Sequence, residues 1–205
     1  MSGNRELPLA GGQAGPPAER ADAAENRRRI LAAAAGLIAS RGVEALSMDE
    51  VARTAGVGVG TVYRRFGDRA ALVYAVLDDR EREFQAAFLK GPPPLGPGDA
   101  PHARVRAFLH ALADRTEAQS ELLEMAEMDS PDARFREGSY ALYQRHLAAL
   151  LERIRPGADT AYLADALLAP FAANLFRYQR RTMSLDRIKS GLDHLIDGLI
   201  PPRAL

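Results

Sequence analysis

An all-α fold is what two features of the sequence predict together. Apolar residues recur at helical spacing from about residue 22 almost to the C-terminus, and no convincing stretch alternates with the period of two that a strand requires. The length, 205 residues, gives enough chain for one large or two small domains with a real core. No internal repeat divides it.

Residues 1–21 are rich in Gly, Pro and Ala and poor in large apolar groups, so they are expected to stay an unfolded arm. The first helix is expected from Asp22 or Glu25, with Ile30, Ala34, Leu37 and Ile38 on one stripe and Gly42 as its stop. A second starts at Ser47, where "SMDE" reads as a capping box between Ser47 and Glu50, and it must be short because Gly56 follows. In "GVGVGTVYRRF", Val59, Val62 and Phe66 fall on one face of two helical turns. That leaves Thr61, Arg64 and Arg65 pointing outward, with Tyr63 at the edge.

A long helix from Asp68 to Lys90 follows and ends at "GPPPLGPGDAP", through which no helix continues. Residues 22–90 are therefore expected to form the first domain with a connecting helix, 91–101 a linker, and 102–205 the second domain. In the second domain Val105, Phe108, Leu109 and Leu112 share a helix face, and "ELLEMAEM" is a shorter helix. Ser130 with Pro131 opens another, running through Tyr143, Leu147, Leu150 and Leu151 to Pro156. Two final helices are expected over about 159–181 and 184–199.

Composition narrows the function classes. Cysteine is absent, so there is no disulfide framework, no thiolate metal site and no cysteine nucleophile. The longest apolar stretches are too short and alanine-rich to span a bilayer, and the N-terminus lacks a signal core, so a cytoplasmic protein without a membrane partner is expected. Net charge is zero, yet from Arg27 to Arg69 there are eight arginines against four acids. That segment therefore carries a local surplus of positive charge.

Two short helices joined by a glycine-containing turn, the second with a cationic face, form a helix-turn-helix. A bare helix fits the major groove of B-DNA when its outward side chains hydrogen-bond and its back is anchored by apolar groups. Arg64 can donate in a fork to guanine N7 and O6, while Thr61, Tyr63 and Arg65 can reach phosphate or a thymine methyl. Arg27 to Arg29 put positive charge at a helix start, where it opposes the dipole, which nearby phosphate explains. Arg27 and Arg28 therefore join the expected contacts.

The stretch "LSMDEVARTAGVGVGTVYRRFGDRAAL", preceded by "RRRILAAAAGLIASRGVEA", resembles the N-terminal domain of the tetracycline-repressor (TetR) family of bacterial transcriptional regulators, over roughly fifty residues from Arg27 to Leu77. The rest of the chain resembles that family only in length and helical character. The resemblance implies that Ser47 and Thr61 bind phosphate through their hydroxyls, that Tyr63 contacts backbone or base, that Arg64 reads a base, and that Arg69 takes the place of a phosphate-binding lysine. Gly58 and Val59 stand where a polar pair is frequent, so readout is expected to lean on the close approach of Gly60 and on Tyr63 and Arg64. It implies a homodimer on double-stranded operator DNA, most simply a repressor released by a small-molecule effector.

An enzyme is not expected. The four histidines, 102, 110, 146 and 194, are scattered, with no HExxH and no GxSxG, and "GVGVG" lacks the strand that a nucleotide loop follows. Glu124 and Glu127 read as the polar face of a helix with Met125 and Met128 turned inward, so neither metal nor cofactor is expected. An effector pocket is expected with walls from Phe108, Leu112, Met125, Met128, Phe135, Tyr143 and Phe171 and polar groups from His110, Tyr140, His146, Asn174 and Arg177, beside a bend at Pro170. A second domain that senses a protein partner, or nothing, is the other reading. Two apolar stripes, Tyr162, Leu163 and Leu167 in one helix and Leu185, Ile188, Leu192, Leu195, Ile196 and Leu199 in the next, are expected to pair across a dimer as a four-helix bundle.

Overall fold

The computed structural model of the chain describes residues 17–119 and 138–199. Within them lie α1 (Pro17–Arg41), α2 (Met48–Ala55), α3 (Val59–Phe66), α4 (Arg69–Lys90) and α5 (Pro101–Ala118). After residues 120–137 come α6 (Gly138–Ile154), α7 (Thr160–Leu168), a 3-10 turn (Ala169–Phe171), α8 (Ala173–Arg180) and α9 (Leu185–Leu199). No strand occurs among the described residues. No described helix is long and apolar enough to cross a membrane.

Helix α1 begins at Pro17, ahead of the expected start, so residues 17–21 belong to a helix and not to an unfolded arm. Proline presets the first helical φ, and the Ala, Glu and Arg that follow are strong helix formers. The helix closes where Gly42, at φ 80, donates its amide to the Ile38 carbonyl at 2.8 Å. Helix α4 is capped by Asp68, whose carboxylate accepts from the Ala71 amide at 2.8 Å.

Two hydrophobic cores share α4. Ile30, Leu31, Val51, Val62, Leu72 and Val76 belong to the first, made by α1 to α3 and the N-terminal half of α4. Phe84 and Phe88, from the other half, pack with Phe108, Tyr143, Leu147, Leu168 and Ile196 in the second. The packing therefore changes over inside α4, ahead of the linker where the sequence places the boundary. The reason is that α4 carries apolar residues on different faces along its length.

The second core is aromatic at its centre. Phe108 lies 5.3 Å from Phe84, 5.1 Å from Phe88 and 5.6 Å from Tyr143 between ring centroids. Ion pairs tie α5 to the C-terminal helices: Arg106 with Asp193 at 2.9 Å, Lys189 with Asp114 at 2.6 Å, and Arg180 with Glu117 at 2.7 Å. The Arg180 hydrogen bond holds the Glu117 carboxyl below its ordinary value. The helix expected over 159–181 is two helices, because Pro170 has no amide to donate and the chain passes through the 3-10 turn before α8 starts. The "ELLEMAEM" helix and the start at Ser130 lie outside the described residues.

Candidate nucleic-acid interface

Helices α2 and α3 are set by a Schellman turn. Gly56 takes the left-handed conformation, φ 64 and ψ 40, and the Val57 amide donates to the Ala52 carbonyl at 3.0 Å. Arg29 of α1 donates to the carbonyls of Ala55 and Gly56, fastening the turn to the first helix. A Cβ at position 56 would meet only the movable end of the Arg29 side chain, so it is the left-handed backbone that favours glycine there.

Behind the turn, Met48, Val51, Ala52 and Ala55 of α2 and Val62 of α3 are buried, with Phe66 partly buried against them. In front, Val59, Gly60, Tyr63 and Arg64 are exposed and Thr61 is half-exposed, forming a continuous outward face. Val59 corrects the expectation. It is 38% exposed and outside the core, because α3's anchorage starts at Val62 and leaves the first turn uncovered.

The flanking groups divide. Arg64 stands exposed beside Ala23, Asn26, Thr61 and Arg65, which together line a shallow recess between α1 and α3. Arg65 donates to the Ala23 carbonyl at 2.6 Å. Arg69 donates to the Val43 carbonyl at 2.9 Å and pairs with Glu44 at 3.4 Å, bracing the loop before α2. Arg27 pairs with Asp79 of α4 at 3.4 Å, and Arg28 pairs with Glu25 at 2.7 Å on the open surface. Ser47 is exposed at the N-cap of α2, but the capping box does not form: its hydroxyl makes no cap bond, and Glu50 accepts from Arg41 at 2.5 Å instead. The Arg41 cation captures the carboxylate that the box needs.

The residues expected to converge on an effector do so only in part. Phe108, Leu112, Tyr143 and Phe171 are buried core, packed against one another. His146 sits between Phe88 and Phe108, ring centroids 4.6 and 5.2 Å away, and burial pushes its pKa down to about 4. Asn174 and Arg177 share a face of α8 as expected, but that face is exposed, because Phe176 and Ala173 are the side of α8 that the core takes. His110 bonds Asp193 at 2.8 Å and Tyr140 donates to Asp165 at 2.8 Å, so each is committed to a neighbouring helix away from that face. Met125, Met128 and Phe135 lie outside the described residues.

The expected dimer stripes divide likewise. Leu167, Ile188, Leu192 and Ile196 are buried in the chain's own core, where α9 packs on α5, and Leu163, Leu185 and Leu199 are partly buried against it. Tyr162 at 69%, Tyr178 at 66%, Leu195 at 55% and Leu175 at 40% are exposed.

A short cationic helix, anchored from behind and presented by a glycine turn, places the N-terminal unit in the helix-turn-helix class of DNA-binding domains. Residues 30–76 match the family model of the bacterial regulatory proteins, tetR family. An HTH-type transcriptional regulator of Staphylococcus aureus (strain USA300) is similar, 47% identical over 58 residues that cover 28% of this chain and 31% of that protein. The chain thus matches about a third of the length of such curated relatives. Over most of its length it shares the fold of solved structures. A transcriptional regulator from Rhodococcus sp. Rha1 is 22% identical, with a TM-score of 0.64 over 84% of this chain and 95% of that one. A TetR transcriptional regulator from Legionella pneumophila is 18% identical, with a TM-score of 0.61 over 84% and 95%. Residues 30–76 are thus similar to the N-terminal domain of the tetR family, and the chain as a whole shares the all-α fold of those solved regulators.

Proposed function

We propose that the chain is a homodimeric, sequence-specific regulator of transcription, a repressor that holds a palindromic operator with two copies of α3 and is released from it by a small molecule. The observation that carries this reading is the two-sidedness of α3: Val62 fully buried behind, Tyr63 and Arg64 exposed in front. Arg64 reads guanine through its forked donors, and Gly60 lets the backbone approach. Val59, which the sequence pattern assigned to the interior, offers an apolar contact for a thymine methyl. Ser47, Thr61, Tyr63, Arg65 and Arg69 serve phosphate, with Arg28 and Arg27 at the edge. Arg69 does so from a position already braced by Val43.

Two such helices bind together only when held about 34–36 Å apart, one turn of B-DNA. The exposed Tyr162, Leu175, Tyr178 and Leu195 supply the surface for that pairing. Gly191 and Gly198, exposed on α9 with open space at their Cβ positions, let a partner helix come close. An effector lowers operator affinity by as much as it prefers the released state.

The test is selection of duplexes from a random pool by the full chain, with an inverted repeat as the expected product. Arg64→Ala should then lose about 1–3 kcal/mol of discrimination between selected and random DNA. Arg69→Ala should weaken both alike and reduce the salt slope by about one. Equal binding of selected and random duplexes by the unsubstituted chain defeats the reading. For the dimer, Leu195→Glu should convert the species seen by light scattering to a monomer, and an unsubstituted chain that is already monomeric at micromolar concentration would remove that part.

A further inference from the structure

A cleft of about 510 Å³ opens between the two cores, walled by α1, α4 and α5. Ala35 and Ile38 of α1 and Val76 and Ala87 of α4 make it largely apolar, and Arg115 of α5 and Gln119 at its C-cap bring polar groups to it. Its size is that of small-molecule sites, which span about 300 to 1,000 Å³.

Two atoms at this wall lack partners. Gln119 is 8% exposed, and its side-chain carbonyl oxygen is buried without a hydrogen bond. Arg115 pairs with Glu81 at 2.6 Å and donates to the Tyr143 hydroxyl at 3.2 Å, yet its Nε is buried with nothing to receive the proton. Buried polar groups are ordinarily satisfied, and one acceptor and one donor left open beside a cleft call for a molecule that completes both. The charges around it are matched: Arg80 pairs with Glu83 at 3.0 Å and Lys189 with Asp114 at 2.6 Å.

We infer that this cleft is a binding site for a neutral, mostly apolar small molecule that donates to Gln119 and accepts from Arg115. The site rests on reading the chain as a ligand-released DNA binder, and it lies away from the exposed α8 face of Asn174 and Arg177. Because α1 belongs to the first core and α5 to the second, a molecule seated there touches both units and favours one arrangement of them over another.

N-phenyl-1-naphthylamine, a neutral aromatic amine whose fluorescence rises in apolar surroundings, is the probe. The full chain should bind it at one site. Gln119→Leu should weaken that binding about fivefold, and Ala118→Leu, which fills the rim of the cleft, at least as much, both with an unchanged circular dichroism spectrum. The chain has no cysteine, so Ala87→Cys supplies a single thiol inside the wall. Saturating probe should slow its alkylation by N-ethylmaleimide at least fivefold. Absence of probe binding overturns the site, and so does binding that both leucine variants leave unchanged and that leaves the thiol unprotected. Neither result touches the selection of duplex DNA, which tests the regulator reading separately.

Discussion

The two cores on either side of α4 are made of different material. The first holds buried aliphatic groups such as Ile30, Val51 and Leu72, and its fully buried members include no aromatic ring. The second is centred on Phe84, Phe88, Phe108, Tyr143, Phe171 and Phe176, and polar groups such as Thr116, Gln119 and His146 are set among or beside them. Small branched side chains fill space tightly and fix a small unit that has only to present one helix. Buried polar atoms without a hydrogen-bond partner, among them those of Arg115, Gln119 and His146, lie on the side of the aromatic core.

The sharpest way to break this contrast is to empty each core in turn. Phe88→Ala should lower the unfolding free energy by about 3–5 kcal/mol and Leu72→Ala by about 2–5 kcal/mol, measured in urea. A loss under about 1 kcal/mol at Phe88 would mean that the aromatic cluster closes around the gap, and the contrast in packing would vanish.

Next in size is a pH effect peculiar to the aromatic side. Burial, with the nearby Arg104 charge second, lowers the His146 pKa from 6.5 to about 4. The unfolded chain therefore takes up a proton near 6.5 and the folded chain only near 4, so stability falls as the pH drops through that window and is level above it. At about 1.4 kcal/mol per pH unit, discounted for the partial exposure of the ring, the loss is roughly 2 kcal/mol. His146→Phe should flatten the window, and a profile that keeps its slope in that variant would assign the effect to other groups.

The smallest effect belongs to the aliphatic side. Asp68→Ala removes the cap of α4 and should cost about 1 kcal/mol, whereas Ser47→Ala, which removes no cap bond, should stay within about 0.5 kcal/mol. Equal losses at the two positions would mean that the capping box forms in solution after all.

The same contrast explains what could be read in the sequence. Gly56, Asp68 and the spacing of Val62 and Phe66 are local signals, so the turn, the cap and the face of α3 followed from neighbouring residues. Arg29 was missed because its partners, Ala55 and Gly56, lie 26 and 27 positions away. The box at Ser47 failed for a similar reason, since Arg41 comes from another helix. In the second unit the apolar stripe of α9 was legible, but periodicity does not say which neighbour covers it. Ile188, Leu192 and Ile196 went to the chain's own core, and Leu195 alone of that stretch points clearly outward. Asn174 and Arg177 share a face as their spacing requires, but only the packing of Phe176 decides that this face looks away from the interior.

Helix α4, shared by both cores, is also a rigid rod. Its 22 residues span about 33 Å at about 1.5 Å each. With its aromatic end clamped, a pivot of about five degrees carries the other end through roughly 3 Å, close to the about 3.4 Å rise between successive base pairs. Any tilt of that size in α4 would therefore displace its far end, where the first core packs, by nearly one step of a DNA ladder.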